Sequence, residues 1–320
     1  MTNPFPGSDS AWTTGRPFSP DSLRHEPWKP SRKPGSGDIQ VAVHAFALNP
    51  VDYRLSRSLP LPLIGRRPVA SDFAGVVESV GHAVQHLQPG DRVFGMLSAL
   101  RGGVAADRIV LPSHCVQKAP ESIPLVEAAA IPLAGLTALQ ALRDLAEVKA
   151  GQRVLIHGAT GGVGCFAIQI AKILGCDVRV TCSPHNFDFA HELGASECIN
   201  YHEEDFTSGL EKVDGVFDVR GNRRLSDAAR IVRPGGWVVS TEPRISTLAG
   251  ELLNPFREVT CKAVIVRSNP PDLEWLAKAV DNHSLRVVIA QVYPRDGVPE
   301  AYRALMQKRT RGKRVVSMKE

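Results

Sequence analysis

None of the 320 residues belongs to an apolar run approaching the roughly 20 that a membrane-spanning helix requires, which excludes a helical membrane protein. The N-terminal stretch also lacks the apolar core of a secretory signal, so a cytoplasmic location is expected. Cysteine is sparse. The six present, Cys115, Cys165, Cys176, Cys182, Cys198 and Cys261, are scattered without a single Cys-x-x-Cys pair. That spacing argues against metal ligands and a disulfide framework, and for reduced thiols, several of them in the predicted core. No large excess of charge is present either. The net charge of +5 comes partly from the basic run between Lys308 and Arg314. No nucleic-acid recognition motif accompanies that run, so it reads as solvated surface, and neither a nucleic-acid nor a membrane partner is expected. What is present is 43% apolar residues, enough for a large core, on a length that suggests about two domains.

The texture of the chain changes along its length. Residues 1 to about 37 are rich in Pro, Ser and Gly and read as an extended arm, with one short strand near Leu23. From Ile39 apolar and polar residues alternate as in a half-buried strand, Phe73 to Val80 reads as another, and Arg92 to Phe94 and Asp107 to Leu111 follow. Short strands between Gly and Pro turns describe a β-rich domain. Near residue 120 helical sequence begins, Val126 to Ala130 and Leu136 to Leu145, broken at Pro132 and Gly135. Strands are then expected at 153–157, 177–182, 197–199, 214–218 and 236–240, each followed by helical sequence. That alternation implies a parallel, doubly wound sheet. Beyond it come a strand over 263–266, helices from Leu273 to Asp281 and from Pro299 to Lys308, and a last strand from Arg314 to Ser317 that returns to the first domain.

One segment carries chemistry of its own. Val154 to Ile156 is short enough to be a buried parallel strand, and Phe166, Ile170 and Ile173 repeat at helical spacing. Between them stands Gly158-Ala159-Thr160-Gly161-Gly162-Val163-Gly164. Glycines at this point let a backbone approach a pyrophosphate, whose charge is met by N–H groups at the helix start. With a strand before and a helix after, this is the pattern of a dinucleotide site. Its cofactor is indicated by the next strand. An NAD site places an acid about 20 residues beyond the glycines to hold the ribose 2′-OH. Here the segment from Val178 to Asn186 contains no acid, which favours NADPH.

Several motifs stand in order: Phe46 to Tyr53, Ser71 to Gly81, Pro89 to Gly95, Ala128 to Leu139, the glycine turn, Leu193 to Ala195 with Ile199 to Tyr201, and Arg311 to Val316. Together they cover nearly the whole chain and resemble the zinc-independent branch of the medium-chain dehydrogenase/reductase superfamily, the quinone oxidoreductase and enoyl reductase group. The resemblance implies an α/β protein. Its GroES-like β-rich domain would span residues 1–125 with the N-terminal arm, its Rossmann NADPH-binding domain 126–264, and a return segment 265–320 would complete the first domain. It also implies an active site in the cleft between domains and a homodimer formed through the edge of the Rossmann sheet. Zinc-dependent relatives carry a Cys near the first motif and Gly-His-Glu in the second. Here those places hold Asn49 and Ser71-Asp72-Phe73, and a four-cysteine lobe is missing, so no metal is expected.

Without a metal to polarise a carbonyl, the accessible reaction is hydride transfer onto an already activated acceptor, a quinone or an α,β-unsaturated carbonyl. Tyr53 is the candidate hydrogen-bond donor or proton source for the developing enolate, with packing against the cleft wall as its alternative. By resemblance Asn49 contacts the nicotinamide side of the cofactor and Thr137 lies against the nicotinamide. A turn before Pro50 and a helix N-terminal cap are the structural alternatives. Ser183 could bond the 2′-phosphate, and Tyr201 matches a family tyrosine near it. The family's lysine in this loop is missing, with His185 or Asn186 in its neighbourhood. Lys313, beside Gly312, approaches the cofactor by resemblance or is a surface charge. The substrate pocket would be shaped by residues 55–67 and 97–103. Two other readings stay open, an enoyl-thioester reductase acting on coenzyme A or acyl-carrier substrates, and a non-catalytic NADPH-binding sensor or structural protein.

Overall fold

The computed structural model describes residues 8–15, 18–29, 33–58, 66–98, 102–203, 205–207, 211–222, 224–242, 258–307 and 311–319, with the backbone alone for 55–58. Residues 59–65 and 99–101 of the expected pocket wall, and 308–310 of the basic run, lie outside the described residues. The chain divides into two compact units. The first comprises Met1–Leu133, Arg267–His283 and Ile289–Glu320, and the second Ala134–Val266 with Ser284–Val288. The boundary therefore falls at 133/134, within a helix, rather than at 125/126. Seven residues of the expected return segment, 265–266 and 284–288, belong to the second unit.

The N-terminal arm, expected to hold one short strand near Leu23, carries two. β1 (Ser10–Thr14) pairs antiparallel with β2 (Arg24–Pro27). Its Trp12 stacks on His25 at 5.0 Å between ring centroids, and the indole N–H donates to Arg295 O at 2.8 Å. Ala11, Trp12, Phe18 and Leu23 are buried in the core of the first unit, so the described parts of this segment are packed down.

β3 (Asp38–Leu48) is the spine of this unit, with Ile39, Val41 and Val43 alternating inward. After α1 (Pro50–Ser58), the short β4 (Arg67–Pro68) joins β1. β5 (Asp72–Val80), β6 (Arg92–Met96), β7 (Arg108–Pro112) and β8 (Val116–Lys118) follow. β5 and β7 both pair antiparallel with β3. Next come α2 (Leu125–Ala128) and α3 (Pro132–Leu139), which passes without interruption into a π-helical turn at Gln140–Leu145. Pro132 opens a helix here instead of breaking one, as proline can at the first helical position. Gly135 lies inside it.

The second unit carries β9 (Arg153–His157), α4 (Gly162–Ile173), β10 (Asp177–Cys182), α5 (Phe187–Glu192), β11 (Glu197–Asn200), β12 (Val213–Asp218), α6 (Leu225–Ala229), β13 (Val232–Ser240) and β14 (Thr260–Ala263). The six strands form one parallel sheet in the order β11-β10-β9-β12-β13-β14, the doubly wound Rossmann arrangement. The last strand precedes the expected 263–266, because Cys261 rather than Ile265 is the buried partner of β13; Ile265 is exposed. β11 is followed by a turn, where helical sequence was expected.

The chain then returns to the first unit through α7 (Pro270–Asp281), β15 (Ile289–Tyr293), α8 (Val298–Met306) and β16 (Lys313–Ser317). β16 pairs antiparallel with β3, Arg314 opposite Leu48. No helix among the described residues is long and apolar enough to cross a membrane.

Candidate active site

Within the first unit, three distant segments converge on one buried polar cluster. Asn49 sits where β3 ends and α1 begins, Asp72 opens β5, and Lys313 opens β16. The Asn49 amide donates through Nδ2 to Asp72 Oδ2 at 2.9 Å and accepts at Oδ1 from Lys313 Nζ. Lys313 Nζ lies 3.1 Å from Asp72 Oδ2, with the two side chains 3% and 0% exposed. Asp72 Oδ1 accepts the Leu133 backbone N–H at 2.8 Å, at the start of α3. Every polar atom of this triad is therefore used, the condition under which a buried ion pair is tolerated. Lys313 is no surface charge, and the Asn49 side chain does more than shape a turn.

A second carboxyl lies beside it. Asp52, three residues after Asn49, accepts the Asn49 backbone N–H at 2.8 Å and the Ser71 hydroxyl at 2.9 Å. Burial pushes its pKa from the ordinary 3.8 up to about 7, and the Asp72 carboxylate adds to the rise. Tyr302, fully buried in α8, has its phenol pushed well above 10.0 by burial and then by Asp52. The folded protein therefore binds a proton at Asp52 that the unfolded chain releases between pH ~4 and ~7, and this group lowers stability as pH rises through that window. Replacing Asp52 by Asn should yield a melting-temperature difference, variant minus parent, that grows in the variant's favour from pH 4 to pH 8. A difference independent of pH would show that Asp52 is ionised throughout.

Tyr53 is buried in α1 among the core residues of this unit, its ring 6.2 Å from that of Phe18. Its environment is aromatic and apolar on that side.

In the second unit the glycine turn joins β9 to α4 as expected. Gly158 has φ +87, the left-handed conformation that disfavours a side chain. A methyl group on Gly164 would meet the Gly158 and Ala159 carbonyl oxygens at 2.4 Å, so Gly164 lets helix and turn close on each other. Gly161 is different. Its φ of −76 suits any residue, and a methyl there would touch only Gly158 O at 3.7 Å. The fold has no steric need for glycine at 161, and the open face beside it fits a pyrophosphate over the first N–H groups of α4. Ala159 is buried beneath the turn, while Thr160, Gly162 and Val163 are partly exposed along it.

At the end of β10, Ser183 Oγ accepts from Asn186 Nδ2 at 3.1 Å and lies 3.3 Å from His185 Nε2. No acid stands there. Tyr201, past β11, faces the His202 ring at 4.4 Å. Thr137 is buried at the sixth position of α3, which removes the N-terminal cap as its explanation. Sequence reading gave no role to Asp52, Ser71, Asp72 or Tyr302; only the three-residue spacing of Asn49 and Asp52 at a helix start hinted at the first. It also passed over His157, whose ring bonds Thr181 Oγ1 at 2.6 Å and Asn222 Oδ1 at 2.8 Å beneath the turn. Among the described residues no group of three or more His, Cys, Asp or Glu could hold a metal ion.

Comparison with known proteins places both units. The alcohol dehydrogenase GroES-like domain model matches residues 35–121, and the model described as zinc-binding dehydrogenase matches 193–316. The chain is 30% identical over 302 residues to the chloroplast envelope quinone oxidoreductase homolog of Arabidopsis thaliana, covering 90% of this chain and 92% of that one. It is 31% identical over 316 residues to a trans-enoyl reductase of Aspergillus terreus, with 89% and 88% covered. The solved quinone oxidoreductase of Coxiella burnetii superposes with a TM-score of 0.89 at 30% identity, covering 98% of this chain and all of the other.

Proposed function

Since the chain belongs to the zinc-independent medium-chain dehydrogenase/reductase family of quinone and enoyl reductases, a nicotinamide-dependent oxidoreductase family, we propose that it reduces quinones or α,β-unsaturated carbonyls with NADPH. The observation that carries the cofactor assignment is the pairing of an open glycine turn at Gly161 with a β10 end that bears Ser183 and no acid. When bound, the nicotinamide supplies a hydride. The residues assigned to hold the cofactor are Gly158 to Gly164, Thr137, Ser183, Tyr201, Asn49 and Lys313. The Lys313 ammonium fixes the Asn49 amide in one orientation, and Tyr53 donates a proton to the oxygen on which negative charge develops.

The cation beside Asn49 is an ammonium, so polarisation of the acceptor is left to hydrogen-bond donors and to the acceptor's own conjugation. That is why conjugated acceptors fit this protein better than simple ketones. The trans-enoyl reductase relative keeps enoyl thioesters in the same test. Turnover on a panel of quinones, short enones and enoyl thioesters with NADPH assigns the class. Inertness on every acceptor despite tight NADPH binding would instead favour a non-catalytic binding protein. Tyr53→Phe should lower turnover roughly 10-fold or more with little change in cofactor affinity. Unchanged turnover would leave Tyr53 as packing.

A further inference from the structure

The loop after β10 poses a problem for an NADPH site. A 2′-phosphate is a doubly charged anion, and Ser183 to Asn186 offers it a hydroxyl, an imidazole and an amide but no permanent cation. The sheet brings one from elsewhere. Asp218, His157, Thr181 and Ile199 lie in one row across β12, β9, β10 and β11. Two residues beyond that row on three of those strands stand Arg220, Ser183 and Tyr201. Arg220 is rooted against the glycine turn, since a methyl on Gly158 would come within 3.2 Å of its Cβ. From there the exposed side chain reaches back, and its guanidinium carbon rests 5.7 Å from the centre of the Tyr201 ring. The cation thus spans from the turn after β9 toward the residue that follows β11, with the Ser183 end of β10 between them.

The backbone that carries it is fixed on both sides. Val219 N donates to His157 O at 3.0 Å, and Val219 O accepts the Thr241 hydroxyl at 2.9 Å. Gly221 N donates to the buried Asp218 carboxylate at 2.8 Å, and Asn222 is bonded to His157. Among the described residues no carboxylate pairs with the guanidinium. A pre-positioned guanidinium lying on an aromatic face keeps its N–H fork free to grip a phosphate in bidentate fashion.

We propose that Arg220, held on the Tyr201 ring, is the residue that recognises the 2′-phosphate and so sets the preference for NADPH over NADH. The proposal rests on the NADPH reading above, and the two are separable by measurement. Dissociation constants for NADPH and NADH, read from cofactor fluorescence at fixed ionic strength, test the cofactor assignment in the parent protein; the change in their ratio in Arg220→Gln tests the role of Arg220. A charge-assisted hydrogen bond contributes about 1.5–3 kcal/mol, so NADPH binding should weaken roughly 10-fold to 100-fold while NADH moves by less than about 3-fold. Arg220→Lys should recover part of the loss, and 2′,5′-ADP should lose its advantage over 5′-AMP as a competitor in the Gln variant. A parent that prefers NADPH together with a Gln variant of unchanged ratio would overturn the role of Arg220 and leave the cofactor assignment standing. Equal weakening of both cofactors would place Arg220 on the shared part of the dinucleotide and also overturn it. A parent without preference would remove both.

Discussion

Asp72→Ala should be among the most damaging single changes in the protein, lowering its stability by about 3–5 kcal/mol, the usual cost of breaking a buried ion pair by removing one partner. Three donors lose the carboxylate together: Asn49 Nδ2, the Leu133 N–H at the head of α3, and Lys313 Nζ, which keeps Asn49 Oδ1. The ammonium, 3% exposed, is then left buried without its carboxylate. A fall in melting temperature of roughly 6–20 °C should follow. The double variant Asp72→Ala/Lys313→Met should be more stable than Asp72→Ala alone, because the uncompensated charge is gone. Additive losses would mean that the two side chains do not share their energy, contrary to the geometry.

The second large effect concerns the glycine turn, and a pair of variants separates fold from ligand. In Gly164→Ala the new methyl meets two backbone carbonyls at 2.4 Å, and neither can swing away as a side chain would. The turn must move, so stability should fall by about 1–3 kcal/mol. Dinucleotide affinity should drop on the order of 100-fold as two or more charge-assisted bonds to the pyrophosphate are lost. In Gly161→Ala the methyl finds its nearest neighbour at 3.7 Å, and the melting temperature should stay within about 2 °C of the parent. Its affinity for the cofactor should still fall if, as proposed, the phosphates approach beside Gly161. If Gly161→Ala bound normally, the open face beside it would not be the pyrophosphate site.

Features written in local spacing were legible before the structure. Period-two alternation located β3 and β5, and the strand, glycine turn and helix sequence located β9 and α4, because each depends on residues close together in the chain, from Arg153 to Ile173 in the longer case. The open question at Lys313, surface charge or site residue, needed the pairing of β16 with β3, which no local pattern encodes. Arg220 was overlooked for the same reason, as its neighbours Gly158 and Tyr201 follow other strands of the sheet, β9 and β11. The packing of the N-terminal arm was not foreseen because proline content reports on the backbone alone. The anchors Trp12 and Phe18 are apolar residues isolated between prolines, and what they bury against lies elsewhere in the chain. Gly135 was taken for a break in a helix that tertiary packing carries straight through it.

The Asn49, Asp72 and Lys313 triad also bears on how the protein is made. Its carboxylate and its ammonium are 241 positions apart in the chain, and the whole Rossmann unit is synthesised between them. On the ribosome, the first unit must wait with Asp72 unpaired and the β16-facing edge of β3 open until the last strand emerges. The second unit, almost continuous in sequence, has all its parent strands much earlier. Folding during synthesis should then run from the middle of the chain outward, with arrival of the C-terminal strand as the event that closes the first unit.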